Sequence, residues 1–242
     1  MDSSLHNMLS LNGKRTLLTG AFGGLGNGII RLFTKHDQHI TATTRRPEDE
    51  VPKHENVEVA RVDLNNDAEV LEFVKNVDPF DNVILCHGIV GLRVIPMITP
   101  DYAQHITKTN FLSKTNLISQ LVKRKKILAP GRVVNVSSVS AHYGSKNVSM
   151  YASSHAATET FMRSLAKSFL KKDVTVNSIA VNAIWTPLFE GLPDDNPIFD
   201  APLGHGEVGD VANAAYFLCQ TGSEYITGET LFLTGGQAVF DD

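Results

Sequence analysis

Between Thr19 and Gly28 the chain reads Thr19-Gly20-Ala21-Phe22-Gly23-Gly24-Leu25-Gly26-Asn27-Gly28, with five glycines in the nine residues from Gly20. Glycines let a backbone turn sharply and come close to a bound group. A helix that starts directly afterwards aims free N–H groups and its positive dipole end at a phosphate. A pyrophosphate is therefore the expected guest, lined by Gly20, Phe22, Gly24, Leu25 and Gly26. The G-x-G-x-x-G spacing of many dinucleotide folds is missing, and no Gly-Lys-Ser/Thr closes the loop as in kinase-like NTPases. Further on, the run Thr43-Thr44-Arg45-Arg46 stands where an acidic residue would hold the ribose 2′-hydroxyl of NAD. Two guanidiniums suit a 2′-phosphate instead, so NADP(H) is favoured over NAD(H). Asp63 is placed to accept a bond from the adenine amino group.

A second set of reactive groups lies in the middle of the chain. His155 follows Tyr151 by four residues, on one face if the segment is helical, and Ser138 precedes Tyr151 by thirteen. A phenol and an imidazole so placed could serve as acid and base in a non-redox isomerase or lyase. A hydrolase using Ser138 is set aside, because no nucleophile-elbow glycines flank it. The nine histidines show no H-x-x-x-H spacing and the two cysteines no C-x-x-C, so no metal site is expected. Cys86 and Cys219 sit in apolar runs and read as buried, reduced thiols.

The elements that must carry these groups alternate regularly. Strands are predicted at 15–19, 39–43, 57–62, 82–86, 132–136, 174–180 and 230–233. Helical spacing is found at 28–35, 67–76, 101–128, 149–172 and 207–220, the fourth of these with Phe161, Leu165 and Phe169 directed at the core. Pro130-Gly131 is expected to stop the third. Strand and helix alternation without hairpin signals predicts an α/β, Rossmann-like, doubly wound parallel sheet of about seven strands with helices on both faces. Length and the absence of a linker predict a single domain over 1–242. The proline-rich stretch 186–206 reads as a lid over the substrate. A net charge of −4 argues against nucleic acid. Lys123-Arg124-Lys125-Lys126 reads as a solvated helix end. With no signal-peptide core and no apolar run of spanning length, a soluble cytoplasmic protein is expected.

Taken together, the chain resembles the compact form of the short-chain dehydrogenase/reductase family over nearly its whole length. The glycine loop matches the family's T-G-x-x-x-G-x-G at Thr19, Gly20, Gly24 and Gly26. Asp63-Leu64 resembles its adenine-contacting pair, Asn110 its helix asparagine, and Ser138 and Tyr151 its serine and tyrosine. The resemblance implies hydride transfer between nicotinamide and a carbonyl or alcohol carbon of a small to medium substrate. Tyr151 would be the acid or base, Ser138 would hold the substrate oxygen, and Asn110 would support a water. Gly88 and Thr186 would contact the cofactor. The family's lysine, four residues after the tyrosine, anchors the ribose and lowers the phenol pKa, since a phenol near ~10 is a poor base without a neighbouring cation. Here that position holds His155, partly cationic at neutral pH by its ordinary pKa. It would anchor the ribose with Tyr151, and the rate would fall as pH rises through its titration. The family's Asn-Ala-Gly after the fourth strand is Cys86-His87-Gly88, and its later Pro-Gly is Val181-Asn182. These departures raise an alternative: a nucleotide-binding subunit with impaired catalysis and a structural or regulatory role. The family implies a homodimer or homotetramer, and the alternative a hetero-oligomer with a paralogue.

Overall fold

The computed structural model describes residues 11, 13–144, 146–182, 184–186 and 201–237. Most of the stretch read as a lid, 187–200, lies outside the described residues. Seven strands form one sheet: β1 (Arg15–Thr19), β2 (His39–Thr44), β3 (Val57–Arg61), β4 (Phe80–Leu85), β5 (Ile127–Ser138), β6 (Val174–Val181) and β7 (Thr230–Leu233). Their order is β3-β2-β1-β4-β5-β6-β7, and every pair is parallel. The chain starts in the middle, builds outward to β3, then returns to lay β4 on the other side of β1. Strand order therefore reverses between β1 and β4, where a crevice opens beyond the carboxyl ends of the strands.

The helices are α1 (Gly24–Thr34), α2 (Asp67–Asn76), α3 (Pro100–Thr107), α4 (Ser113–Lys123), α5 (Ser140–Tyr143), α6 (Ser149–Phe169) and α7 (Val208–Cys219). Successive strand residues face opposite sides of the sheet. Leu18, Ile84 and Val134 pack with Ile29, Phe33 and Val211 of α1 and α7. Leu17, Val83 and Val133 pack with Val70, Leu117 and Met162 of α2, α4 and α6. Two cores thus sandwich the sheet, as the doubly wound reading requires.

Three boundaries differ from the sequence reading by four residues or more. The helix expected to run to residue 128 ends at Lys123, and Lys125 turns the chain with φ +55° into β5 at Ile127. Pro130-Gly131 instead lies inside β5, where the register against β4 shifts between Phe80 and Asn82, an irregularity that tolerates a residue without an N–H. The expected start of α1 at Gly28 moves back to Gly24, so the glycines themselves form its first turn. On α6 the fully buried stripe is Ala152, His155, Glu159, Met162, Ala166 and Phe169. Phe161 and Leu165 are only partly buried against that core. Among the described residues no helix is long and apolar enough to cross a membrane.

Candidate active site

At the β1–α1 turn the backbone supplies the chemistry. Gly20 has φ +65°, and a Cβ there would lie 2.7 Å from the His87 Cα. A Cβ on Gly26 would fall 2.2 Å from the Gly20 carbonyl oxygen, so α1 can start close over the turn only with glycine there. Gly23 caps α1 without a side-chain hydrogen bond, which leaves the first N–H groups free for an anion. Phe22 and Leu25 lean on the core beneath. At the end of β2, Arg45 and Arg46 are exposed and take part in no ion pair among the described residues, while Thr44 Oγ1 accepts the Arg46 N–H at 3.0 Å. After β3, one Asp63 carboxylate oxygen accepts the Asn65 N–H at 3.0 Å, and Leu64 is buried. The residues present fit a dinucleotide: a side-chain-free cradle, a free helix end and two unengaged guanidiniums.

Across the crevice, β4 ends in Leu85 and the chain continues through Cys86-His87-Gly88. His87 bridges Thr19 Oγ1 (2.7 Å) and Ser113 Oγ (2.8 Å), tying β1 to α4. Burial and the nearby Lys114 cation hold its pKa well below the ordinary value, so it is neutral. Asn110 lies in a π-helical segment, Lys108–Leu112, that joins α3 to α4. Its Oδ1 accepts the Ile89 N–H (2.8 Å), and its Nδ2 donates to the Ile89 carbonyl (3.0 Å) and Ser154 Oγ (3.1 Å). Both amide hydrogens are spent, so the side chain fixes the loop after β4, and Gly88 leaves room for it.

Ser138 closes β5 and is buried, with its Oγ accepting from Ser140 N–H (3.3 Å) and Oγ–H (2.9 Å). Helix α6 brings Tyr151 beside it. Burial raises the phenol pKa, and the Ser138 hydroxyl works against that shift. The Tyr151 ring meets the His155 ring edge-on, with centroids 4.4 Å apart. A phenol, a hydroxyl beside it and the glycine turn thus share the carboxyl edge of one sheet. Thr186 is buried a few residues past β6.

A family model described as "Enoyl-(Acyl carrier protein) reductase" matches residues 20–238. The chain is 30% identical to a 3-oxoacyl-[acyl-carrier-protein] reductase FabG of Chlamydia muridarum, over 96% of this chain and 100% of that one. It is 28% identical to the FabG of Rickettsia bellii, over 95% and 98%. A crystal structure of a dehydrogenase/reductase from Sinorhizobium meliloti superposes with a TM-score of 0.86 at 19% identity, over 98% and 100%. The chain belongs to the short-chain dehydrogenase/reductase family.

For a short-chain dehydrogenase/reductase, the state of residue 155 is the main departure. His155 is buried, and burial with the Lys114 cation lowers its pKa to about 3. It is therefore a neutral imidazole at neutral pH. This corrects the sequence expectation of a partly cationic His155 whose titration sets the rate at neutral pH. Ser137 Oγ donates to Glu159 Oε1 at 2.5 Å and lies 3.4 Å from His155 Nδ1. Having given its one hydrogen to Glu159, Ser137 can only accept from His155, which assigns the proton to Nδ1 and leaves Nε2 a lone pair. His142 pairs with the buried Glu159 at 3.0 Å. Trp185 stands near His205 (centroids 6.2 Å apart) in a cleft between α1 and α7.

Sequence reasoning missed Lys114, Glu159 and Ser137. A signal for Lys114 was there: it precedes Leu117, Ile118 and Leu121 by three, four and seven residues, on the buried stripe of α4. Glu159 likewise lies four residues after His155 and three before Met162. Both cysteines are free thiols, and burial raises them, Cys86 to about 11 and Cys219 to about 12.

Proposed function

We propose that this short-chain dehydrogenase/reductase uses NADP(H) to reduce the ketone of an acyl chain, and that its substrate is a 3-oxoacyl thioester. The observation that carries the reading is Tyr151 beside Ser138 at the end of β5, on the same sheet edge as the glycine turn. Gly20, Phe22, Gly24, Leu25, Gly26 and Gly88 would hold the dinucleotide, with Arg45 and Arg46 on its 2′-phosphate and Asp63 and Leu64 at its adenine. Thr186 would meet its nicotinamide amide. Bound NADPH would supply the hydride to the carbonyl carbon. Tyr151 gives its phenolic proton to the carbonyl oxygen, Ser138 holds that oxygen, and Asn110 keeps the loop after β4 in place. His155, with its Nε2 lone pair, accepts a ribose hydroxyl where a lysine would donate.

The substrate class rests on two supports. The relatives at 28–30% identity carry the name 3-oxoacyl reductase. The loop after β4 also leaves Leu92, Ile95 and Met97 more than half exposed, tied to the approach of α6 by Arg93 N–H donating to the Asn147 carbonyl at 2.7 Å. An apolar rim at the reactive edge suits an acyl chain better than a sugar. A homodimer or homotetramer belongs to this reading.

The neutral His155 favours a second reading, a nucleotide-binding partner subunit without turnover. NADPH and NADH titrations followed by NADPH oxidation with acetoacetyl-CoA separate the two. Tight NADPH binding with oxidation supports the reductase. Tight binding with no oxidation across a panel of carbonyls supports the subunit, and no nucleotide binding defeats both.

A further inference from the structure

Lys114 is a fully buried lysine for which the reaction so far has no use. Its ammonium donates to Asn135 Oδ1 (2.9 Å) and the Val136 carbonyl (3.3 Å), both neutral acceptors. No ion pair among the described residues includes it. Burying a cation without an anion costs several kcal/mol, and an apolar side chain on this stripe of α4 would avoid that cost. A structural role does not account for it.

Its location does. Lys114 lies one turn beyond Asn110, and the carbonyl it holds immediately precedes Ser137-Ser138 at the reactive end of β5. The titratable groups that face it are Cys86 and His87 from the end of β4 and His155 from α6; β5 contributes only the neutral Asn135 and Val136. His155 in turn touches Tyr151. We propose that Lys114, reaching in from α4, supplies the active site with the positive charge that other family members draw from the position His155 occupies. The lysine has in effect moved to another helix: the neutral imidazole keeps the hydrogen-bonding place, and the charge comes from beneath it. Lys114 is a positioning residue in this scheme, since it acts on Tyr151 through His155, whose pKa its charge lowers. Burial lowers its own pKa to about 8, with the Cys86 thiol opposing, so the charge is lost just above neutral pH.

The inference rests on the reductase reading, and the test separates the two. Lys114→Met, His155→Lys and the double variant are compared with wild type, methionine being chosen because it fills the lysine's volume. In the nucleotide-free proteins, NMR follows the His155 ring. Lys114→Met should raise the pH at which His155 takes up a proton by about one unit, since a neighbouring cation is removed. An unchanged His155 titration overturns the inference whether or not the protein turns over. In NADPH oxidation with acetoacetyl-CoA, wild-type activity should fall as pH rises past about 8. Lys114→Met should lower kcat/KM at pH 7 about tenfold and abolish that fall. The double variant should recover most of the loss, because a lysine is again present. A double variant as poor as Lys114→Met, or a Lys114→Met protein within about twofold of wild type, overturns the proposal. If Lys114→Met fails to fold, the wild-type profile decides, and a flat rate between pH 7 and 9 overturns it. A wild type that never oxidises NADPH defeats the reductase reading, and the NMR titration then judges Lys114 by itself.

Discussion

The two sides of the crevice are built from different materials. At the β1–α1 turn the work falls to the backbone: Gly20 at φ +65°, Gly26 against the Gly20 carbonyl, and a helix end with no side chain over it. At the end of β5 the work falls to side chains from separate elements, with Ser138, Tyr151, His155, Glu159 and Lys114 meeting from β5, α6 and α4. A backbone cradle admits only glycine at its tight points and so has little room to vary. A side-chain cluster can move a charge from one helix to another and keep its field. The departures from the family pattern gather on the second side for that reason.

The largest effect belongs to the one group on that side without a substitute. Tyr151→Phe removes the proposed proton donor and leaves the ring against His155. NADPH oxidation should drop by about 10³-fold, with NADPH affinity within a few-fold of wild type. A variant that keeps a tenth of its activity would show that the acid lies elsewhere and that the side-chain cluster has been misassigned.

Next in size is a break on the backbone side. In Gly26→Ala the new Cβ would meet the Gly20 carbonyl oxygen at 2.2 Å and the Ala21 oxygen at 2.7 Å. Neither neighbour is a flexible side-chain tip, so α1 must lift from the turn at a cost of about 3 kcal/mol. Urea unfolding should show that loss, and NADPH titration should show binding weakened well over tenfold. Stability and affinity must fall together here, whereas Tyr151→Phe separates activity from both.

The same division explains what could be read in advance. Helix α2 was predicted over its full extent because its apolar spacing is a local signal, and the structure adds an Asn66 cap that accepts N–H groups from Ala68 and Glu69. The glycine loop was legible because position in the chain and position in space coincide between β1 and α1. The start of β5 was not, since Ile127 becomes a strand only by pairing with Phe80, far away in sequence. Tyr151, Ser138 and Asn110 were singled out by resemblance of spacing, which carries no burial. His155 was therefore assigned a charge that its environment denies. Lys114 and Glu159 stayed hidden because a charged residue on a helix is ordinarily solvated, and only the packing of α4 and α6 against the sheet buries them.

The buried imidazole makes a prediction on the side-chain side that needs no substrate. The folded pKa of His155, about 3, lies below the ordinary 6.5 of the unfolded chain. Above pH 6.5 neither state binds the proton, and the fold keeps its full stability. As pH falls from 6.5 toward 3, only the unfolded state takes up the proton, so stability is lost through that window. At about 1.4 kcal/mol per unit, His155 contributes about 2 kcal/mol of loss between pH 6.5 and 5. His87 works in the same direction. Urea midpoints at the two pH values should draw closer in His155→Gln, and an unchanged difference would mean the ring is solvated.

The smallest effect sharpens the comparison by testing a place where the nucleotide side relies on side chains. Arg45 and Arg46 are exposed at the end of β2 and engage no carboxylate among the described residues, so their loss disturbs no fold contact. A charge-assisted pair with a 2′-phosphate is worth about 1.5–3 kcal/mol before solvent screening, and exposure reduces this. Arg45→Ala and Arg46→Ala should each weaken NADPH about three- to tenfold, leave NADH unchanged, and make the NADPH dependence on salt shallower. Thermal midpoints should stay within a degree or two of wild type. Equal losses for both nucleotides would place the arginines on the pyrophosphate, and no loss for either would return them to solvent. In both cases the preference for NADP(H) falls while the glycine cradle stands, because the cradle recognises what the two nucleotides share.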